Sequence, residues 1–234
     1  MSDEVTVSGA LGQAVTAVVL VGGLVAGLWT VAHTSAASGA DAPPPPAVCV
    51  TGKPTGMRDG ERGSGPATGK QVCEALHRPD LADLLGTPGE AVKSAGGSDD
   101  TRTSAEGRQI ARSSARVELP MYTVTLSAAT EGLPVSTYAS LLGTGARRAT
   151  VLERPAVFFT DRTLNISFRL DGSDSKSGPG VLVRVLTVAG DARDGGGGYE
   201  LALWRTDGAL PDDAVVLRLA EAVLPTLPGW SPAA

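Results

Sequence analysis

Two cysteines are the residues of this chain whose chemistry is easiest to predict. Cys49 and Cys73 are the only cysteines among 234 residues, and both stand near the start of what we interpret as a soluble domain. Such a pair favours a disulfide that closes a loop in an oxidising compartment, where it would contribute about 3 kcal/mol of stability. Two buried free thiols are the alternative. We predict the disulfide.

The histidines do not complete a metal site with these cysteines. Zinc needs about four protein ligands in a structural site. His77 lies four residues after Cys73, but the only other histidine, His33, adjoins an apolar segment near the N-terminus. We therefore predict no metal site, and no motif in the chain predicts a cofactor site.

Three spacings resemble catalytic or phosphate-binding motifs without completing one. Ser173 and Lys176 form an S-x-x-K spacing, which pairs a nucleophile with a base on a helix in β-lactamases, but they stand in the loop-like stretch DGSDSKSGPG. GSGPATGKQ is close to a phosphate loop, yet Ser64 replaces its first glycine and Gln71 its final Ser or Thr. A Ser-His-Asp triad would depend on His77, and no G-x-S-x-G elbow accompanies it. We predict no catalytic residue.

The charge of the chain argues against nucleic-acid binding. It has 20 basic and 25 acidic residues, a formal net charge of −5, and no block of Lys or Arg. Neutralising phosphates requires clustered basic side chains. We expect no nucleic-acid partner.

An apolar run over residues 14–32, AVTAVVLVGGLVAGLWTVA, contains no charged side chain. At 1.5 Å per residue it would span most of a hydrocarbon core of about 30 Å, so it predicts a transmembrane helix in the lipid bilayer, preceded by a short tail, residues 1–13. Gly23 and Gly27 form a GxxxG spacing that could support a weak homodimer. A cleaved signal peptide is the rival, but the acidic tail without Lys or Arg favours an uncleaved anchor.

The orientation of this single-pass anchor rests on two opposing observations. The first basic residue after the span is Lys53. Basic residues beside a span are enriched on its cytoplasmic side, so Lys53 would favour a cytoplasmic body. It lies about 20 residues from the span, however, where this charge rule has little force. Residues 33–48 are rich in Ala and Pro, and the prolines favour a stiff polyproline spacer. Together with the cysteine pair, this spacer predicts an extracytoplasmic body.

The rest of the chain, residues 49–234, reads as one α+β domain with flexible loops at 52–70 and 93–114. Its apolar periodicity predicts about three helices packed on a mainly antiparallel, five-stranded sheet. The predicted helices are Gln71–Leu85, with Pro79 as a kink or division, Leu133–Leu142 and Pro211–Leu224. The predicted strands are 116–126, Ala149–Phe159, Thr163–Leu170, Val181–Val188 and Tyr199–Arg205, with a tight turn around Asp161.

Aromatic residues on two of these strands raise the question of a binding patch. Phe158 and Phe159 are adjacent, so their side chains point to opposite faces of the sheet. One belongs in the core. The other could join Trp204 in an exposed apolar patch for a partner, or be covered by a helix on that face.

Several segments resemble a known family. RPDLADLLGTPGE, DRTLNISFRL, YELALWR and PDDAVVLRLAEAVLPTLPGW are similar to an actinobacterial membrane-protein family, domain of unknown function 6215. The resemblance covers roughly residues 48–232 and is most specific over 211–230. It implies a single-pass anchor and an external domain, and it implies no activity.

These observations favour a membrane-anchored, non-catalytic domain that binds an unknown ligand or protein at the cell envelope. An enzyme whose acids, such as Asp161 or Glu200, assemble only in the folded chain is the first alternative, and a structural envelope protein is the second. A deep pocket with converging polar groups would favour an enzyme, and a flat apolar patch would favour a binding module.

Overall fold

The fold was determined as a computed structural model that describes residues 46–51, 67–103, 107, 109–167 and 176–230. These residues belong to one compact unit, Pro46–Ala234. Its helices are α1 (Gly69–Leu76), α2 (Leu81–Leu85), α3 (Val135–Leu142) and α4 (Asp213–Val223). Its strands are β1 (Cys49–Thr51), β2 (Ser94–Thr103), β3 (Gln109–Glu118), β4 (Tyr122–Ala129), β5 (Arg147–Val151), β6 (Arg154–Ser167), β7 (Lys176–Ala189) and β8 (Gly198–Arg205).

All eight described strands form one mixed sheet in the order β1-β2-β3-β4-β8-β7-β6-β5. Only β1 and β2 pair in parallel, and every other neighbouring pair is antiparallel. The predicted fold class was therefore wrong, because the sheet has eight strands rather than five, is mixed, and is accompanied by four described helices rather than three.

Two turns without a strong sequence signal each add a strand, one predicted turn is absent, and β1 and β2 were not predicted. The predicted strand 116–126 is two strands, β3 and β4, joined at Pro120 and Met121. Ala149–Phe159 is divided by a turn at Leu152 and Glu153, which have φ values of 50° and 64° without any glycine. The turn predicted around Asp161 does not exist, because β6 runs through it with only a bulge between Arg162 and Leu164.

The hairpin of β2 and β3 occupies most of the segment predicted as a flexible loop, 93–114. Its Ser, Gly and Asp residues have low intrinsic preference for strands. A polar contact on the buried side compensates, since Asp99 Oδ1 accepts a hydrogen bond from Gly69 N (2.7 Å) and lies 2.7 Å from Ser113 Oγ. Tertiary pairing therefore sets the conformation of this segment.

The hydrophobic core lies on the face of the sheet covered by α1, α2 and α4, which we call the inner face. Alternate residues of the central strands point there, so Val124 and Leu126 of β4 lie beside Leu201 and Leu203 of β8, all at most 2% exposed. The four apolar positions of α4 that pack on them are fully buried: Val216, Leu219, Ala220 and Val223.

Helix α1 is fixed to the edge of the sheet by its cap and by close packing. Thr68 and Gln71 form a reciprocal capping box at its start. A Cβ atom at Gly97 of β2 would overlap the carbonyl oxygen of Gly69, so only glycine allows this approach. The segment likened to a phosphate loop thus ends in a helix start capped by its own side chains. The predicted helix Gln71–Leu85 is divided near Pro79 into α1 and α2.

The opposite, outer face of the sheet is covered only in part. Helix α3 packs there on β6 and β7, where Val157, Phe159, Val183 and Val185 are buried. The outer side of β2, β3, β4 and the adjoining part of β8 forms an open polar hollow.

The N-terminal predictions lie outside the described residues. These are the transmembrane span, residues 14–32, with Gly23 and Gly27, and most of the loop predicted at 52–70. Among the residues that are described, none of the helices is long and apolar enough to span a bilayer.

Candidate functional site

A pocket of about 260 Å³ lies on the outer face, where α3 meets the sheet. Its floor is formed by strands, its wall by α3 and the loop before it, and its rim by the glycines that precede β8. The lining residues used below are Arg112 of β3, Ser127 of β4, Tyr138 of α3, Thr187 of β7 and Glu200 of β8.

Arg112 and Glu200 place opposite charges at the mouth of the pocket. Arg112 Nη2 lies 3.5 Å from Glu200 Oε1 and donates to Ser127 Oγ at 3.1 Å. Both side chains keep more than a third of their surface exposed, 36% and 41%. An ion pair this long and exposed is weak, so both groups can turn towards a ligand at little cost.

Thr187 adds a hydroxyl without a partner to the floor of the pocket. Within the described part of the chain, its Oγ1 is the one buried side-chain polar atom that has no hydrogen-bond partner. Leaving such a group unsatisfied costs about 1–3 kcal/mol. A ligand group that bonded to this hydroxyl would recover that cost.

Tyr138 supplies an aromatic wall with a polar tip. Its ring contacts Phe159 edge to face, with centroids 5.5 Å apart. Burial raises the pKa of the Tyr138 hydroxyl, and the negative charges of Glu200 and Asp161 raise it further. The side chain therefore stays neutral and able to donate a hydrogen bond at physiological pH.

Helix α3 is held in place by the loop between β7 and β8. Asp194, in the left-handed region with φ 57°, accepts hydrogen bonds from Val135 N at 2.6 Å and Ser136 N at 2.8 Å. Burial raises the pKa of Asp194, but the bonds from Ser136 and Val135 outweigh it, so the net pKa lies below its ordinary value. The carboxylate thus caps a helix that has no side-chain cap of its own.

The glycines before β8 let two loops touch at the rim of the pocket. Gly196 and Gly197 have φ values of 98° and 73°. A Cβ atom on either would lie 2.6 Å from a carbonyl oxygen of the loop before α3, that of Gly132 or Thr130. The Gly-rich run therefore permits close backbone approach, as well as acting as a connection.

A second, more open hollow of about 560 Å³ continues from the pocket across the outer face. It is lined by residues of β2, β3 and β4 and shares Arg112, Ser127 and Glu200 with the pocket. The two hollows form one continuous depression, which we call the outer groove.

The residues singled out from the sequence lie elsewhere, with one exception. Glu200 lines the pocket, whereas Asp161 does not. Ser173 lies outside the described residues, and only the backbone of Lys176 is described. His77 follows the end of α1, where its amide donates to Cys73 O at 2.7 Å.

The cysteine pair joins the edge strand to the first helix. The sulfur atoms of Cys49 in β1 and Cys73 in α1 lie 2.01 Å apart, at disulfide bonding distance. Cys73 is fully buried and Cys49 is partly exposed. Neither cysteine lines the pocket, and the bond holds β1 against α1.

The aromatic patch considered from the sequence is covered by a helix. Phe158 lies in the core on the inner face, and Phe159 is 6% exposed beneath α3. Trp204 is partly buried, with the Arg116 guanidinium 5.0 Å from its ring. Phe159 therefore supports Tyr138 in the wall of the pocket rather than joining Trp204 in an exposed patch.

Sequence reasoning missed Arg112, Tyr138 and Thr187. Thr187 is a polar residue inside an apolar strand, which was the one signal available in the sequence. Arg112 stood in the supposed loop, and Tyr138 lies in the predicted helix Leu133–Leu142, where it was not considered as a site residue. None of the three belongs to a spacing motif, because each comes from a different element.

The described residues contain no group of three or more His, Cys, Asp or Glu side chains placed to hold a metal ion. Comparison with protein families gives a match over residues 6–145 to a family of unknown function, DUF6215. The chain belongs to this family. No curated protein and no solved structure matches it.

The family match confirms the resemblance to domain of unknown function 6215 but covers a different range from the one expected. Of the segments that carried the resemblance, only RPDLADLLGTPGE lies within residues 6–145. The DUF6215 match includes Arg112 and Tyr138 and ends before β5, so Thr187 and Glu200 lie beyond it.

Proposed function

We propose that this DUF6215 protein is a non-catalytic binding domain on the outer side of the cell membrane, and that the pocket beneath α3 receives its ligand. The observation that carries the proposal is the convergence of Arg112, Tyr138, Thr187 and Glu200 on one concave, largely apolar site. A few polar groups in a mostly apolar hollow are typical of small-molecule sites. The cysteine pair supports an oxidising compartment. Attachment through residues 14–32 stays a prediction.

Binding accounts for this site better than acid-base catalysis does. The two acids considered for an enzyme are not both in the pocket, and the one that is, Glu200, is paired with Arg112. The unpartnered hydroxyl of Thr187 is stabilised only when something binds to it. A pocket whose free state carries this cost is suited to holding a ligand.

Thr187→Val tests the proposal because it should change stability and binding in opposite directions. Valine replaces the buried hydroxyl by a methyl of similar size, so we expect the ligand-free protein to gain stability by about 1 kcal/mol or more. Binding should weaken several-fold. Urea unfolding of the full-length chain measures the stability.

Binding would be measured by saturation-transfer NMR on the same chain with N-acetylglucosamine, N-acetylmuramic acid and D-alanyl-D-alanine as probes. Thr150→Val, on an exposed position of β5, is the matched control and should leave both measurements unchanged. If none of the probes bound, or if binding were identical in wild type and Thr187→Val, the pocket would not be the ligand site.

A further inference from the structure

The outer groove contains a row of polar side chains that crosses five strands at right angles. Ser98 of β2 pairs with Ser114 of β3, which pairs with Ser127 of β4, and Ser127 pairs with Glu200 of β8, which pairs with Thr187 of β7. Directly opposed residues on neighbouring strands share one face of a sheet. The five side chains therefore form one line, which we call the polar row.

The polar row is long and regular. Neighbouring strands lie about 4.8 Å apart, so four steps give a row of about 19 Å. At its open end Ser98 Oγ and Ser114 Oγ are 3.0 Å apart. At its other end it enters the pocket at Thr187. The row is thus longer than the pocket and connects it to the open part of the sheet.

The charges beside the row are balanced within the protein. Arg112 is paired with Glu200, and Arg116 Nη2 lies 2.6 Å from Glu118 Oε1. A polyanion would need an excess of cationic groups, and here each arginine is matched by a glutamate. The groove therefore matches an elongated ligand that carries little charge and many hydrogen-bonding groups.

We infer that the ligand is an uncharged oligosaccharide chain that lies along the polar row with one end in the pocket. Serine and threonine hydroxyls both donate and accept hydrogen bonds, as sugar hydroxyls do. Extended peptides instead pair with backbone groups at a sheet edge, whereas the row lies on the face of paired strands. This inference rests on the proposed function and specifies its ligand.

Chain length tests the inference. Calorimetric titration of the full-length protein with N-acetylglucosamine oligomers, from monomer and dimer to tetramer and hexamer, should show affinity rising at least tenfold from dimer to hexamer. The reason is that only the longer chains reach beyond the pocket to Ser114 and Ser98.

Ser114→Ala separates the row from the pocket, because Ser114 lines only the open hollow. It should weaken hexamer binding by about three- to tenfold, the value of one hydrogen bond, and leave dimer binding unchanged. Ser140→Ala, on the exposed side of α3, is the matched control and should change neither. Thr187→Val should weaken both lengths.

The outcomes distinguish the inference from the proposed function. Short and long sugars binding equally, or D-alanyl-D-alanine binding while every sugar fails, would overturn the oligosaccharide chain and leave the pocket as a ligand site. An acidic polysaccharide binding more tightly than the neutral oligomers would also overturn it. If no sugar and no peptide probe bound, both would be overturned.

Discussion

At the scale of single residues, Asp194 helps to position one wall of the pocket. It lies in the loop after β7, yet its carboxylate accepts both amide hydrogens at the start of α3. Because α3 carries Tyr138, one side chain in a surface loop determines where the aromatic wall stands.

Asp194→Gly should remove this cap without straining the backbone, since glycine adopts a positive φ readily. We expect a loss of about 1 kcal/mol at neutral pH, typical of a lost helix cap, measured by urea unfolding. Asp194→Asn keeps one of the two acceptor oxygens and should lose only part of this stability. Equal loss in both variants would show that the charge, rather than the cap, stabilises α3.

The same residue predicts a pH dependence. Its folded pKa is lowered, so its stabilising contribution is present above the unfolded pKa of about 3.9 and is lost as the pH falls through the folded pKa. Stability of the wild type should therefore decrease more between neutral and acidic pH than that of Asp194→Asn. Parallel pH profiles for the two proteins would contradict the assignment.

The chemistry of single residues could be predicted from the sequence more easily than which residues lie together in the fold. The disulfide could be predicted from the presence of two cysteines and from the expected oxidising compartment. Arg112 and Glu200, by contrast, are 88 residues apart and meet because β3 and β8 both flank β4. No local pattern encodes that strand order.

At the scale of elements, the bond between Cys49 and Cys73 compensates for the short length of β1. This strand has three residues, pairs only with β2, and lies at the edge of the sheet. Few hydrogen bonds hold it, so the covalent link to α1 is its main restraint.

Replacing both cysteines by serine should release β1 and cost about 3 kcal/mol, the value for closing a loop with the observed sequence separation of 24. Hydrogen exchange of residues 49–51 should rise much more than that of β4, which serves as the internal control. Unchanged protection of β1 would mean that its pairing with β2 is sufficient.

Elements with strong apolar periodicity could be predicted. Elements whose conformation depends on pairing or packing with other elements could not. Helix α4 has the expected apolar face and is capped by Asp212, whose side chain accepts from Ala214 N at 3.1 Å. The hairpin of β2 and β3 has almost no periodic signal, because one of its faces is a solvated surface of Ser, Gly and Arg. Only its pairing with β4 and its packing against α1 make it a strand pair.

At the scale of the whole molecule, the number of strands was underestimated because β1 and β2 were not identified as strands and because two turns fall at ordinary residues. Leu152 and Glu153 form a tight turn without glycine or asparagine, which sequence rules for hairpins would not identify. The approximate bounds of the helices could be predicted. The mixed order of the sheet could not, because it depends on which distant strands pair.

The location of the domain can be measured through its cysteines. On intact cells, a membrane-impermeant thiol reagent should label the full-length chain only after reduction, and then at Cys49, because Cys73 is fully buried. Cys49→Ser should abolish this labelling and serves as the control. Labelling only after lysis would place the domain inside the cell, and labelling without reductant would contradict the disulfide.

The polar row also limits which sequence changes the outer face of this protein can accept during evolution. Each of its five side chains comes from a different strand, and a shift of one residue in any strand turns its side chains to the opposite face. An inserted residue near Ser114 would point the serine into the hydrophobic core and turn Ala115 or Ser113 outward. Relatives can therefore acquire a different ligand preference by substitutions along the row, but length changes have to occur in the loops between the strands.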